Sequence, residues 1–291
     1  MTVQTAPHIH EKREDLTTIK TILVAHDFSD SANLALTDAI ALSKLFGSEI
    51  VIAHAEAPSE SRHVHHTDSY MHSTLEGIHQ QVAAAGCPSR EIVHAGDVAK
   101  VIAEVAHKEH ADLLMLGAYG HGPKDRATLG STAELLLRSV ACPVLAYGPN
   151  AVTPLLQPGK PLQVLVPFEL PCDPDTLSIA VNAARLFHAR LDILHIVDMG
   201  HSLSLPHAYQ DTQYICEQIA AELREDGVRV THSLLFGKPD EIILGQSSEL
   251  DSTFIVMPLE TRTQLSSVTS DNVAAAVIRN ATVPVLTYRI D

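Results

Sequence analysis

One stretch of the chain concentrates residues able to hold an anion. In LLMLGAYGHGPKDRATLGSTAELLL, Gly117, Gly120, Gly122 and Gly130 precede the hydroxyls of Ser131 and Thr132. Glycines let a backbone approach a ligand closely and reach positive φ. The open N–H groups and dipole of a helix starting near Ser131 favour negative charge, and Ser131 itself suits an N-cap. The plain alternative is a glycine-rich connection with an ordinary cap. The spacing is G-x2-G-x9-G-S-T. It is neither GxxxxGK[ST], which occurs nowhere in the chain, nor the G-x-G-x-x-G that follows the first strand of a dinucleotide fold. Lys124 and Arg126, inside the nine-residue stretch, are in reach of an outer phosphate or are simply solvated. His121 is a weaker candidate.

Other chemistries find less support. His63, His65 and His66 form an HVHH run, and neighbouring imidazoles bind zinc, nickel or copper. No cysteine or helical i, i+4 pair completes that set, so the run is read as a polar loop and no metal site is assigned. Cys87, Cys142, Cys172 and Cys216 make no CxxC pair, which argues against a disulfide framework or zinc site and fits a reducing cytoplasm. Cys142, before Pro143, is expected to be packed. No Ser-His-Asp or Cys-His order and no assignable carboxylate pair is present, so no motif supports catalysis. The net charge of −15 is shared by both halves, which excludes a basic field for nucleic acid or an anionic membrane. No apolar run approaches a membrane span, and the first twenty residues lack the apolar core of a secretory signal.

The elements that position the glycine stretch are legible as a repeat. A shift of 141 residues places His54 on His195, Gly96 on Gly237, Pro143 on Pro284 and Tyr147 on Tyr288. At the first strand the shift is one larger, setting ILVAHDFSD on VLVPFELPCD. In the first half, Ile22–Ala25, Ile50–Ala53, Ile92–His94, Leu113–Leu116 and Val144–Tyr147 are short apolar runs. Between them Ala35, Ala39, Leu42 and Phe46 form one helical face, and Val101, Ile102, Val105 and Ala106 another. Strands buried on both faces and separated by helices imply a parallel sheet covered on both sides. The fold expected is α/β: two tandem, open, doubly wound, Rossmann-like parallel-sheet domains of five strands each. Residues 1–19 read as a polar tail, 20–148 as the first domain, 149–160 as a linker rich in Pro and Gly, and 161–291 as the second domain.

The loop spacing, the ILVAHDFSD opening and the CPVLAY ending together resemble the universal stress protein family, over nearly the whole chain and in tandem. The resemblance implies ATP or a related adenine nucleotide, with or without magnesium, in the first domain, and a role as a stress-response regulator. Carried over residue by residue, it implies that the base and ribose meet Ala25, His26 and Asp27 after the first strand. Ala55 would follow the second strand, where the family usually has a larger aliphatic residue. Ribose and phosphates would meet Leu116, Gly117, Gly120, Gly130, Ser131, Thr132 and Ala133. Asp27 has an alternative role in capping the turn into the first helix. A non-nucleotide small-ligand or protein-interaction protein of the same fold is the alternative function.

The second half departs from that loop. Pro258 stands at the position of Gly117, Thr261 at Gly120, Asp271 at Gly130 and Asn272 at Ser131. Proline removes a donor, and Asp271 sets a negative charge where phosphates would lie. A hydrogen bond to a charged group is worth roughly 1.5–3 kcal/mol, so these losses leave the second loop without its anion chemistry. Glu169 is a substitute for the strand-one aspartate but does not restore the loop. The final strands, Val144–Tyr147 and Val285–Tyr288, are apolar edges that invite pairing. The family resemblance implies that they join the two domains as an intramolecular pseudo-dimer. A homodimer of whole chains is compatible with the sequence, though no residue pattern specifies it.

Overall fold

The computed structural model of the chain describes residues 18–56, 67–119, 129–152, 154–170, 174–197, 205–260 and 273–290. The first half runs β1 (Thr21–Ala25), α1 (Asp30–Phe46), β2 (Glu49–Glu56), α2 (Thr67–Ala84), β3 (Ser89–Ala95), α3 (Val98–Lys108), β4 (Leu113–Gly117), α4 (Ser131–Ser139) and β5 (Val144–Tyr147). The second half repeats the alternation as β6 (Gln163–Phe168), α5 (Pro174–Leu186), β7 (Arg190–Val197), α6 (Leu205–Glu225), β8 (Val230–Phe236), α7 (Pro239–Glu249), β9 (Phe254–Glu260), α8 (Val273–Asn280) and β10 (Val285–Ile290).

Local sequence explains the elements. Ile22, Leu23 and Val24 are consecutive in β1 and all buried, as a strand covered on both faces requires. α1 starts at the N-cap Ser29, whose side chain accepts from the Ala32 N–H, and ends at Gly47 in the left-handed region (φ 72°). Its Ala35, Leu36, Ala39 and Leu42 form the buried stripe. Residues of α1, α2, α5 and α6 share one core layer with alternate strand residues, and those of α3, α4, α7 and α8 share the layer on the opposite face. Both layers run through both halves, so there is one continuous core on each side of the sheet.

Strand order is β3-β2-β1-β4-β5-β10-β9-β6-β7-β8 in a single ten-stranded sheet. Within each half the neighbours are parallel, and the two halves meet where β5 and β10 pair antiparallel, with Val285 opposite Ala146, Leu286 opposite Leu145 and Thr287 opposite Val144. The expected pairing of the last strands thus fuses two five-stranded sheets into one. The Thr287 hydroxyl adds a bond to the Val144 carbonyl at 3.2 Å. Phe46, Phe187 and Phe254 stack edge to face across the junction, with centroids 5.5 Å apart in each pair.

The chain between the halves is itself part of this contact. A Cβ on Gly148 would lie 1.9 Å from the Ile278 carbonyl oxygen, so only glycine lets β5 end against α8. Asn150 Nδ2 then donates to the Arg279 carbonyl (3.3 Å) and the Val152 N–H to the Thr282 carbonyl (3.3 Å). Farther along, the Leu155 N–H donates to Asp38 Oδ1 (3.0 Å), while the Tyr147 hydroxyl donates to Asp38 Oδ2 (2.8 Å). Asp38 is 1% exposed, and one buried carboxylate therefore ties α1, β5 and the connecting segment together. Burial raises its pKa from 3.8 to about 6, against the pull of Tyr147 and Leu155.

Two predictions follow from the junction. Gly148→Ala should cost on the order of 1–3 kcal/mol through overpacking against α8. It should also expand the chain in small-angle scattering; an unchanged profile and melting temperature would refute the close approach. For Asp38, the folded state holds its proton more tightly than the unfolded one, so its contribution to stability falls as pH rises from about 4 to about 6 and is flat beyond. Asp38→Asn should remove that slope. Its stability relative to the native chain should then rise by up to roughly 3 kcal/mol between pH 4 and pH 7. Parallel urea curves at all pH values would show that the carboxyl is not perturbed.

Candidate functional site

In the first half the strand sequence proceeds outward in one direction through β1, β2 and β3 and in the other through β4 and β5. The reversal falls between β1 and β4, and ligands of open parallel sheets bind at the carboxyl ends of the strands beside such a point. Ala25 lies opposite both Ala53 of β2 and Leu116 of β4, which brings the three strand ends level. Ala55 lies two residues beyond Ala53 on β2.

The β1 end is built as a tight turn. The His26 N–H donates to the Ala53 carbonyl (2.9 Å), and His54 Nδ1 donates back to the His26 carbonyl (2.7 Å). The repeat preserves this clasp, since His195 Nδ1 donates to the Phe168 carbonyl at 3.1 Å. Asp27 is exposed, and its Oδ1 accepts from the Ser29 N–H (3.0 Å) and the Ser29 hydroxyl (2.6 Å). It therefore steadies Ser29, the residue that caps α1. Phe28 sits in the left-handed region at φ 68°, an uncommon place for a bulky residue. Its ring packs on His26 and His54, with centroids 5.4 and 4.8 Å away. His26 is 3% exposed and accepts from the Phe28 N–H on Nδ1 (3.1 Å), which assigns its proton to Nε2. Burial first, then the His54 charge, lowers its pKa; Asp27 and Asn33 oppose without cancelling, so the ring is neutral at pH 7. Its Nε2 is buried without a hydrogen-bond partner among the described residues.

The β4 end meets this turn from the other side. A Cβ on Gly117 would lie 2.4 Å from the Ser31 hydroxyl and 3.1 Å from both Ser29 Oγ and the Ala32 nitrogen. Gly117 is thus required by the first turn of α1, a close approach the sequence alone suggests for a ligand. Ala118 donates to the Tyr147 carbonyl (2.9 Å) and accepts from Gly130 (3.0 Å), closing the loop at its base. Gly120, Gly122, His121, Lys124 and Arg126 lie outside the described residues.

Gly130, not Ser131, is the N-cap of α4, because its φ −61° and ψ 137° are extended while Ser131 is already helical. Ser131 is exposed, Thr132 half-buried, Ala133 buried and Leu116 buried in β4. α1 and α3 have side-chain caps from Ser29 and Asp97, but α4 has none. The N–H groups of its first turn, beside the reversal point, have no side-chain cap among the described residues.

The second half differs at the corresponding place. β1 and β4 pair over four residues, but β6 and β9 pair over two, ending at Leu165 and Ile255. Pro167 and Pro258 follow on the two facing strands, and neither has an N–H for the ladder. β9 then continues against β10, with Leu259 opposite Arg289 and Glu260 opposite Ile290, where the first half has already turned away. Thr261, Asp271 and Asn272 lie outside the described residues.

Among the described residues no three His, Cys, Asp or Glu side chains form a metal-binding group, and no helix is long and apolar enough to cross a membrane. The His63–His66 run lies outside the described residues. Cys142 is half-buried, and desolvation pushes its thiol up to about 11, away from reactive thiolate chemistry. Sequence reasoning passed over Ser29 and Ser31, for which the S-D-S spacing was the available signal, and also Tyr119, whose position inside the loop was visible.

The molecule is a doubly wound α/β repeat with its open strand-end crevice in the first half. The chain belongs to the universal stress protein family, whose model matches residues 18–148 and again 162–289, as a tandem member. A universal stress protein encoded beside a QAH/OAS sulfhydrylase in Thermus aquaticus is 30% identical over 132 residues, covering 43% of this chain and 96% of the relative. Among solved structures, a universal stress protein from Archaeoglobus fulgidus superposes with a TM-score of 0.73 at 22% identity, covering 95% of this chain and 98% of that one. A functionally unknown protein from Pseudomonas aeruginosa PAO1 gives a TM-score of 0.70 at 19% identity, with 96% and 95% covered.

The packing of Gly117 sets a prediction. Gly117→Val should destabilise the ligand-free chain by about 1–3 kcal/mol, through overpacking and loss of the α1 cap. Gly130→Ala places its Cβ 3.2 Å from the Ala118 carbonyl, a tight contact but looser than the 2.4 Å one at Gly117, and should cost less. Thermal melts of the two variants without ligand check this, and a native-like melt for Gly117→Val would contradict the close approach.

Proposed function

We propose that the first half binds an adenine nucleotide, ATP with or without magnesium, and that the chain acts in the cytoplasm as a ligand-dependent stress-response regulator. The observation that carries this reading is the uncapped N-terminus of α4 at the point where strand order reverses. Such a terminus offers N–H donors and a positive dipole end to a phosphate. It faces a protein whose net charge of −15 gives an anion no other attraction. In this reading the turn of Ala25, His26 and Asp27, with Ala55 beside it, takes the base and ribose. Leu116, Gly117, Gly130, Ser131, Thr132 and Ala133, together with Gly120, take ribose and phosphates. His26 brings a neutral ring whose Nε2–H has no acceptor among the described residues. Burying such a donor costs about 1–3 kcal/mol unless something accepts from it.

The second half is proposed to serve as scaffold, because Pro167 and Pro258 remove donors from its crevice and β9 runs on as strand. Equilibrium dialysis with ATP should therefore give one site per chain. Two sites of similar affinity would refute the assignment of the second half, and no site would refute the nucleotide reading.

A further inference from the structure

The two prolines at the strand ends of the second half leave backbone acceptors behind as well as removing donors. Successive residues of a parallel strand bond alternately to the neighbour on one side and on the other. The Arg190 N–H donates to the Leu162 carbonyl (2.8 Å), so every second residue of β6 from Leu162 bonds to β7, and Leu165 and Pro167 face β9. The Ile255 N–H donates to the Pro284 carbonyl (3.2 Å), so Ile255 faces β10, and Phe254, Val256 and Pro258 face β6. The ladder between β6 and β9 stops at Leu165 and Ile255. Its next two bonds would run from an N–H at position 167 to the Val256 carbonyl, and from an N–H at position 258 to the Pro167 carbonyl. Proline supplies neither.

Two carbonyls are thus left open inside the molecule. Val256 is 0% exposed and Pro167 is buried, and neither oxygen has a hydrogen-bond donor among the described residues. Buried backbone carbonyls in folded proteins are paired with something. β6 runs on against β7 and β9 against β10, so the strands continue on either side of a fork that has one open carbonyl from each. The next carbonyl of β6 is answered, since that of Phe168 accepts from His195 Nδ1. In the first half the ladder reaches Ala25 and Leu116, and the residues matched to the two prolines are Ala25 and Gly117, which keep their N–H groups. No fork forms there.

We propose that this fork binds a small monovalent cation, an alkali-metal ion or a protonated primary amine, through the Pro167 and Val256 carbonyl oxygens. Carbonyl oxygens replace the hydration shell of such an ion. A divalent ion asks for carboxylates in its shell, and both oxygens here are neutral. The surroundings have the matching sign. The chain carries a net charge of −15, and Glu169 is two residues beyond Pro167. Burial lowers the pKa of the neighbouring His195, while the Phe168 carbonyl and the Glu169 charge pull it the other way. The second half, a scaffold toward the nucleotide, offers acceptors at its strand reversal where the first half offers donors. This site does not depend on the nucleotide reading.

Thermal melts of the full chain at equal ionic strength test the proposal. Sodium, potassium and methylammonium chloride are set against tetramethylammonium chloride, whose cation is bulky and has no N–H. At least one small cation should raise the melting temperature by roughly 2–4 °C, and saturably. An effect of sodium or potassium alone identifies an alkali-metal site, and one of methylammonium alone an amine site. Pro167→Ala combined with Pro258→Gly restores both N–H groups and should abolish the dependence, and either change alone should weaken it. Pro239→Ala, at the start of α7, should leave it intact. Equal melting in all the salts would overturn the proposal, with water filling the fork instead. A saturable effect that survives in the double variant, or is lost equally in Pro239→Ala, would overturn it as well.

Discussion

Backbone N–H and C=O groups along β5 and β10 must be paired once the helices exclude water from the strands. Each strand finds its partner in the other half of the chain. This antiparallel ladder sets the position of everything else. It makes one sheet of two, carries both core layers across the junction, and leaves β3 and β8 as the outer strands among the described residues. It also reverses the direction of the second half relative to the first. The carboxyl end of β5 therefore lies beside the amino end of β10, and the last turn of α8 comes up against the first half's strand ends.

The two crevices then diverge through a few backbone atoms. Glycine at position 117 lets β4 stop against the first turn of α1, and the chain leaves the sheet there. Proline stands at the matched position 258, with Pro167 near it on β6, and the β6–β9 ladder stops at Leu165 and Ile255 while β9 continues along β10. Both halves retain the clasp from the strand-two histidine to the strand-one carbonyl, His54 to His26 and His195 to Phe168. The clasp serves the fold. The open helix terminus at the strand reversal, described in the first half alone, is the feature on which the proposed nucleotide reading rests.

Buried polar groups mark where the two halves were adapted to each other. Asp38 stands where the repeat has Ala180, and its two oxygens hold Tyr147 and Leu155 at a cost visible in its raised pKa. That carboxylate fixes the connecting segment to α1 at Leu155. Tyr119 and His26 instead keep polar atoms that have no partner among the described residues, and in folded proteins such atoms call for a specific explanation. Both lie at the first half's strand ends.

Much of the fold was legible in the sequence because apolar periodicity and repetition report local geometry. The runs Ile22–Ala25 and Leu113–Leu116 read as doubly covered strands because every residue in them is apolar, and Ala35, Ala39 and Leu42 read as one helical face. The glycine and hydroxyl spacing of the loop, and its loss at Pro258, were also readable directly. Other features required the tertiary structure, because they depend on contacts between residues remote in sequence. Ser131 resembles an N-cap by type, but the backbone turns helical one residue earlier, leaving Gly130 as the cap and α4 without a side-chain partner. Gly117 answers to Ser31 of α1, and Gly148 to Ile278 of the other half. No spacing rule relates Asp38 to Leu155 or to Tyr147. The sequence by itself determined a doubly wound repeat with one intact loop; only the pairing of β5 with β10 decided which side chains of one half reach the other, because strand pairing sets distances that chain order does not.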